Sequence, residues 1–87
     1  MDTKEIRIPK ELLEKACREG IDVSQAEEVI RNAEQTSEKV YDEKQSLWHA
    51  HMRIGNITLW VSYVTDDGYI EIRDIYMHRM EIREVKK

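Results

Sequence analysis

Five side chains in the second half of the sequence have types and spacing that could do chemistry: His49, His51, Ser62, Glu71 and His78. His49 and His51 lie one residue apart in the stretch LWHAHMRIGNITLW. On a β-strand such a pair points to one face, which is permissive for the start of a zinc site. A third ligand is then required. His78 is expected alongside Gly55, displaced from His51 by roughly 13 Å at the strand rise, and Glu71 lies two strands from His49, roughly 9 to 10 Å away. Neither completes an ion site, so neither metal nor cofactor is expected. The expected row His49, Ser62, Glu71 has the types of a nucleophilic triad, but Ser62 falls mid-strand with its backbone committed to the ladder, leaving no N–H pair for an oxyanion. A histidine acting alone as general base needs a pocket to tune it, and an open sheet face supplies none. A non-catalytic face is therefore the preferred reading. Cys17 is expected as a small inert hydrophobe on a buried helix stripe.

The elements that must position these groups are legible from periodicity. Ile6 and Ile8 alternate with charges as a short strand, and Pro9 stands at a favoured first helical position. A helix is expected over about 9–19, with Leu12, Leu13, Ala16 and Cys17 on one stripe, Glu11/Lys15 and Glu14/Arg18 as outward pairs, and Gly20 as the left-handed stop. A second helix starts from Ser24 with Glu27, or two residues earlier from Asp22 with Gln25, carries Ala26, Val29, Ile30 and Ala33 inward, and ends near Gln35. The polar segment 36–46 has room for one short strand around Val40 and Tyr41.

After Leu47 the period becomes two. Trp48, Ala50, Met52 and Ile54 face inward against His49, His51 and Arg53 outward; Ile57, Leu59, Val61 and Tyr63 face inward against Thr58, Trp60, Ser62 and Val64. Gly55-Asn56 suits a two-residue type II′ turn, because Gly accepts the positive φ of its first central position. This sets Ile54 opposite Ile57, His51 opposite Trp60 and His49 opposite Ser62. A third strand follows Gly68 with Ile70 and Ile72 inward, then slips by one to Ile75 and Met77, the sign of a bulge. With a four-residue second loop the outward rows read His49, Ser62, Glu71 and His51, Trp60, Arg73. The expected fold is a single α+β domain over 1–87, with two N-terminal helices packed on one face of a three- to four-stranded antiparallel meander.

Composition narrows the function classes. With 87 residues, 40% hydrophobic and 37% charged, the chain supports one modest core and a heavily solvated surface. Residues 1–44 carry 8 Lys/Arg against 12 Asp/Glu and residues 45–87 carry 6 against 6, which accounts for the net charge of −4 and disfavours charge-driven nucleic-acid binding. One cysteine fits a reducing cytoplasm, and the absence of a long apolar run predicts neither a signal peptide nor a membrane span. The tail IYMHRMEIREVKK gathers Tyr76, His78, Arg79, Arg83, Lys86 and Lys87, with Asp74, Glu81 and Glu84 interrupting the positive charge. An amphipathic edge strand is preferred there over an RNA-contacting surface.

Three resemblances add to this reading. The stretches GNITLWVSY and DGYIEIRDIYMHRMEI, with DVSQAEEVIRNAEQTSEKVYD before them, resemble a small uncharacterised module carried by, or encoded beside, flavin- and iron–sulfur-dependent pyridine-nucleotide oxidoreductases of anaerobic bacteria. The resemblance covers roughly residues 20–82 and rests on Gly55-Asn56-Ile57-Thr58, Trp60-Val61, Tyr76 and His78-Arg79-Met80. It implies an accessory role beside such an enzyme; the chain itself lacks cluster cysteines and a glycine-rich phosphate loop. The order helix, helix, antiparallel meander is similar to RelE-type toxins, which would make His78, Arg79 and Arg73 RNA-working groups, although those toxins are strongly basic. The stretch KEIRIPKELLEKACREGIDVSQAEEVI resembles a ribbon–helix–helix DNA-binding unit over the first third alone.

These lines converge on a cytoplasmic, non-catalytic interaction module. Its partner-binding face is expected to comprise His49, His51, Arg53, Trp60, Arg73, Tyr76, His78 and Arg79, centred on Trp60, because aromatics and arginine are enriched where proteins meet. The partner is a protein, with a redox enzyme as the named class, and strand addition at an unpaired edge would make a homodimer.

Overall fold

A computed structural model of the chain describes residues 5–79. Its elements run β1 (Glu5–Arg7), α1 (Lys10–Arg18), α2 (Val23–Thr36), β2 (Val40–Asp42), β3 (Leu47–Ile54), β4 (Ile57–Thr65) and β5 (Tyr69–Arg79). The strands form one five-stranded sheet in the order β1-β5-β4-β3-β2. The class is the expected α+β, but the sheet is mixed and wider than a three- to four-stranded meander. β1 joins its edge parallel to β5, Ile6 beside Ile70, while β2 adds antiparallel to β3 at the other side. Both extra strands are three residues long and cover only one end of their neighbours.

The helices form where capping and periodicity agree. Pro9 is extended, with φ −63° and ψ 150°, and stands just before α1; its carbonyl accepts from Leu13 N–H at 3.0 Å. Gly20 at φ +73° ends α1 in the left-handed conformation, and Ile21 N–H folds back onto Ala16 O at 2.8 Å. The stripe of α1 is narrower than its composition suggests: Ala16 is buried and Leu12 half-buried, whereas Leu13 and Cys17 are exposed. Each lies one residue, about 100° of helix, past the sheet-facing line. Cys17 is thus a surface thiol and not the buried hydrophobe expected. Lys15 also departs from expectation, reaching Asp74 at 3.2 Å. At α2 the earlier of the two caps forms: the Asp22 carboxylate accepts from Ser24 N–H at 3.0 Å and from Ser24 Oγ at 2.9 Å. Ala26, Val29, Ile30 and Ala33 are buried, as their spacing requires.

The core lies between this helix layer and the alternating inward residues of β3, β4 and β5, with Ala50, Leu59, Val61, Tyr63, Ile70, Ile72 and Ile75 at its centre. Burial declines toward the Gly55 turn, where Met52, Ile54 and Ile57 are half-buried. Tyr63 ties the layers together, its hydroxyl donating to Glu34 Oε2 at 2.8 Å; Lys39 Nζ meets the same oxygen at 2.6 Å and lies 4.2 Å from the Trp48 ring centroid.

Candidate functional site

The sheet face opposite the helices carries the chemistry-bearing side chains, and the Gly55-Asn56 hairpin sets its registration. Gly55 has φ +65° while Asn56 is not among the positive-φ residues, the pattern of a type II′ turn. Ile54 pairs with Ile57, His51 with Trp60 and His49 with Ser62, as the alternation requires. On β5 the register shifts beside Ser62/Tyr63, so that Ile72 pairs with Tyr63 and Asp74 with Ser62, leaving Arg73 as the unpaired bulge residue. The outward rows therefore read Val40, His49, Ser62, Asp74; then His51, Trp60, Tyr76; then Arg53, Thr58, His78. The expected third members, Glu71 and Arg73, are displaced. Val64 pairs with Glu71, two residues later on β5 than a four-residue loop ending at Gly68 implies, and the bulge adds a third.

The middle row is an aromatic series. The His51 ring stacks on Trp60 with centroids 4.4 Å apart at 24°, and Trp60 runs nearly parallel to Tyr76, 6.1 Å apart at 3°. Trp60 is half-buried, whereas His51 and Tyr76 are exposed. Arg53 and His78 are exposed on the next row toward the turn, where Arg53 Nε donates to Gly55 O at 3.3 Å.

The first row holds a polar relay. His49 Nδ1 lies 2.8 Å from Ser62 Oγ, and His49 Nε2 lies 3.6 Å from Asp42 Oδ2. Asp42, not Glu71, is the carboxylate beside His49, brought there by β2. Its other oxygen caps the following turn, accepting from Lys44 N–H at 3.0 Å and Gln45 N–H at 3.4 Å. Sequence reasoning missed Asp42; the local signal was an Asp opening a polar turn, the position at which a side chain mimics a backbone acceptor. The three side chains share the types of a hydrolytic triad, yet Ser62 is only 3% exposed and sits mid-strand. A nucleophile must meet a carbonyl and an oxyanion must meet free N–H groups, and this position offers neither. The His49–Ser62 hydrogen bond ties β3 to β4, with the Asp42 carboxylate of β2 beside the ring.

Metal and RNA chemistry find fewer converging groups. Among the described residues no three His, Cys, Asp or Glu side chains gather as a metal set. His51 is stacked on Trp60 and His49 is held by Ser62 and Asp42. Arg73 and His78 stand five residues apart along β5, roughly 17 Å in an extended strand. The Arg73 guanidinium faces Glu71 at 3.6 Å. The side chain of Arg79 lies outside the described residues, as do Met80, Glu81, Arg83, Glu84, Lys86 and Lys87. β1, the ribbon of the DNA-binding resemblance, is hydrogen-bonded into the sheet through β5. No helix among the described residues is long and apolar enough to cross a membrane. No known family, no curated protein and no solved structure matches this chain.

Proposed function

We propose that this chain is a non-catalytic interaction module that docks a protein partner on the sheet face opposite its helices, with Trp60 as the anchor. The observation that carries the reading is the row His51, Trp60, Tyr76: three rings on the face that the chain's own helices leave uncovered. Flanking it, Arg53 and His78 on one side and His49 on the other supply a polar rim around an aromatic centre, the composition of a protein–protein contact. An RNA-binding role draws less support, because His51 already covers one face of Trp60 and several basic groups have acidic neighbours: Arg7 with Glu5, Arg73 with Glu71, Lys15 with Asp74. A base needs an open ring face and unpaired positive charge near it. The module is read as cytoplasmic, where an exposed thiol such as Cys17 stays reduced. The partner class to test first is the flavin or iron–sulfur oxidoreductase implied by the resemblance of its hairpin.

The test is an amide chemical-shift titration of the full chain with the purified oxidoreductase, with parallel titrations of zinc, free flavin, pyridine nucleotide and a short RNA. The expected result is saturable change confined to 49–53, 58–62 and 74–78 on adding the protein. Trp60→Ala should weaken that binding tenfold or more, about 1.4 kcal/mol or above. Saturable shifts on the same face with RNA or zinc, and none with protein, would replace this reading.

A further inference from the structure

β5 has eleven residues, but β1 covers its outer side only at Tyr69, Ile70 and Glu71, and the Lys15–Asp74 ion pair stands at the bulge. From Ile75 to Arg79 no described strand pairs with that side. Which backbone groups face it follows from the hairpin. A two-residue turn makes Ile54 and Ile57 a hydrogen-bonded pair, so along β4 the odd residues bond to β3 and Thr58, Trp60 and Ser62 bond to β5. Their partners His78, Tyr76 and Asp74 are thereby satisfied, and the C=O of Ile75 and both backbone groups of Met77 point to the side that no described strand covers, where Ile75 N–H donates to Asp74 Oδ1 at 2.9 Å. Unpaired groups in such a row are a template for another strand.

We infer that two copies of the chain pair antiparallel along this edge of β5, with Tyr76 on the two-fold axis. That register is self-complementary on both faces. Ile75 meets Met77 of the second copy twice on the helix side, and on pairing Ile75 N–H exchanges its Asp74 oxygen for the carbonyl of Met77 while Met77 N–H gains the carbonyl of Ile75. On the outward side the exposed Tyr76 rings meet across the axis, and Asp74 faces His78 of the second copy twice. The interface is isologous and closes as a dimer instead of propagating. Its consequence is a ten-stranded sheet in which the row His51, Trp60, Tyr76 continues into its symmetry mate, doubling the aromatic strip. This goes beyond the docking proposal and stands without it, since no third protein is involved.

Sedimentation velocity on the full chain from about 1 µM to about 1 mM tests the pairing. A concentration-dependent shift to the dimer is expected. Met77→Pro removes an N–H that faces solvent in the monomer, and Tyr76→Lys places a repelling charge on the axis. Each should raise the dimer dissociation constant at least a hundredfold while circular dichroism keeps its wild-type shape. In a Cys17→Ser background, Tyr76→Cys should give a disulfide-linked dimer under mild oxidation, because directly opposed residues bring their Cβ atoms within bridging reach. A monomer throughout the concentration range, or a dimer indifferent to both edge substitutions, overturns the inference. A dimer that fails to cross-link through position 76 overturns the register.

Discussion

Tyr63 sits fully buried at the centre of the sheet with its hydroxyl against the Glu34 carboxylate, and that placement sets how the protein responds to alkali. Burial, and then the nearby carboxylate as hydrogen-bond acceptor and as negative charge, push the phenol far above its ordinary value. In the unfolded chain the same phenol ionises near pH 10, whereas the folded one stays neutral. Its contribution to stability is therefore fully present below about pH 10 and falls as pH rises beyond it, by up to ~1.4 kcal/mol per pH unit. Tyr63→Phe is expected to cost about 1 kcal/mol at pH 8 through loss of the hydrogen bond, and to flatten the decline between pH 10 and 11. Urea midpoints at pH 8, 10 and 11 for the two proteins check both parts; equal slopes would remove the phenol from the account. Ser62 gives a second residue-scale expectation. Its hydroxyl serves His49, which is partly exposed and accessible to water, so Ser62→Ala should lower stability by only about 0.5–1.5 kcal/mol in the same assay.

Among the elements, the hairpin β3–β4 is the one whose sequence states its geometry most fully. Two alternating runs of opposite face preference leave one in-register pairing, and Gly55-Asn56 between them admits a turn that needs positive φ at its first central residue. A Cβ built on Gly55 meets nothing within 4 Å, so Gly55→Ala is penalised by backbone conformation alone. About 1 kcal/mol is expected, or roughly 4–8 °C in Tm by thermal melting. The bulge on β5 was legible in the same way, because the inward sequence Ile70, Ile72, Ile75, Met77 changes parity once. What parity could not fix was the offset of the β4–β5 loop, and so the partners of Trp60 and Ser62 on β5 were misassigned. The parallel pairing of β1 was not legible at all: Ile6 meets Ile70 across most of the chain, and a three-residue strand has too short a pattern to announce its neighbour. The same brevity hid β2, and with it the approach of Asp42 to His49. On α1, an apolar quartet two residues wide on each of two turns left the centre of the stripe ambiguous by one residue, enough to bring Cys17 to the surface.

At the scale of the whole molecule, the sheet separates two kinds of packing by side, and adjacent residues of β4 report on each. Leu59 points into the helix layer and is 1% exposed, whereas Trp60 points away from it and is half-buried under His51 and Tyr76. If size alone governed stability, truncating the tryptophan would cost more. The packing says the reverse. Leu59→Ala opens a cavity between sheet and helices beside its cross-strand neighbours Met52 and Met77, an expected loss of about 2–5 kcal/mol. Trp60→Ala gives up its ring contacts with His51 and Tyr76 and part of an exposed surface, about 1–2 kcal/mol. Under the docking proposal, binding should order the two variants oppositely: Leu59→Ala, measured under conditions where it remains folded, should bind the proposed protein partner within about threefold of wild type, since its side chain never reaches the outward face. Trp60→Ala should bind at least tenfold more weakly while losing less stability than Leu59→Ala. Denaturant melts and calorimetric titrations on the pair give the four numbers needed. A Trp60→Ala protein that unfolds as readily as Leu59→Ala would assign the indole to the core, whereas one that binds normally would move the anchor elsewhere on the face.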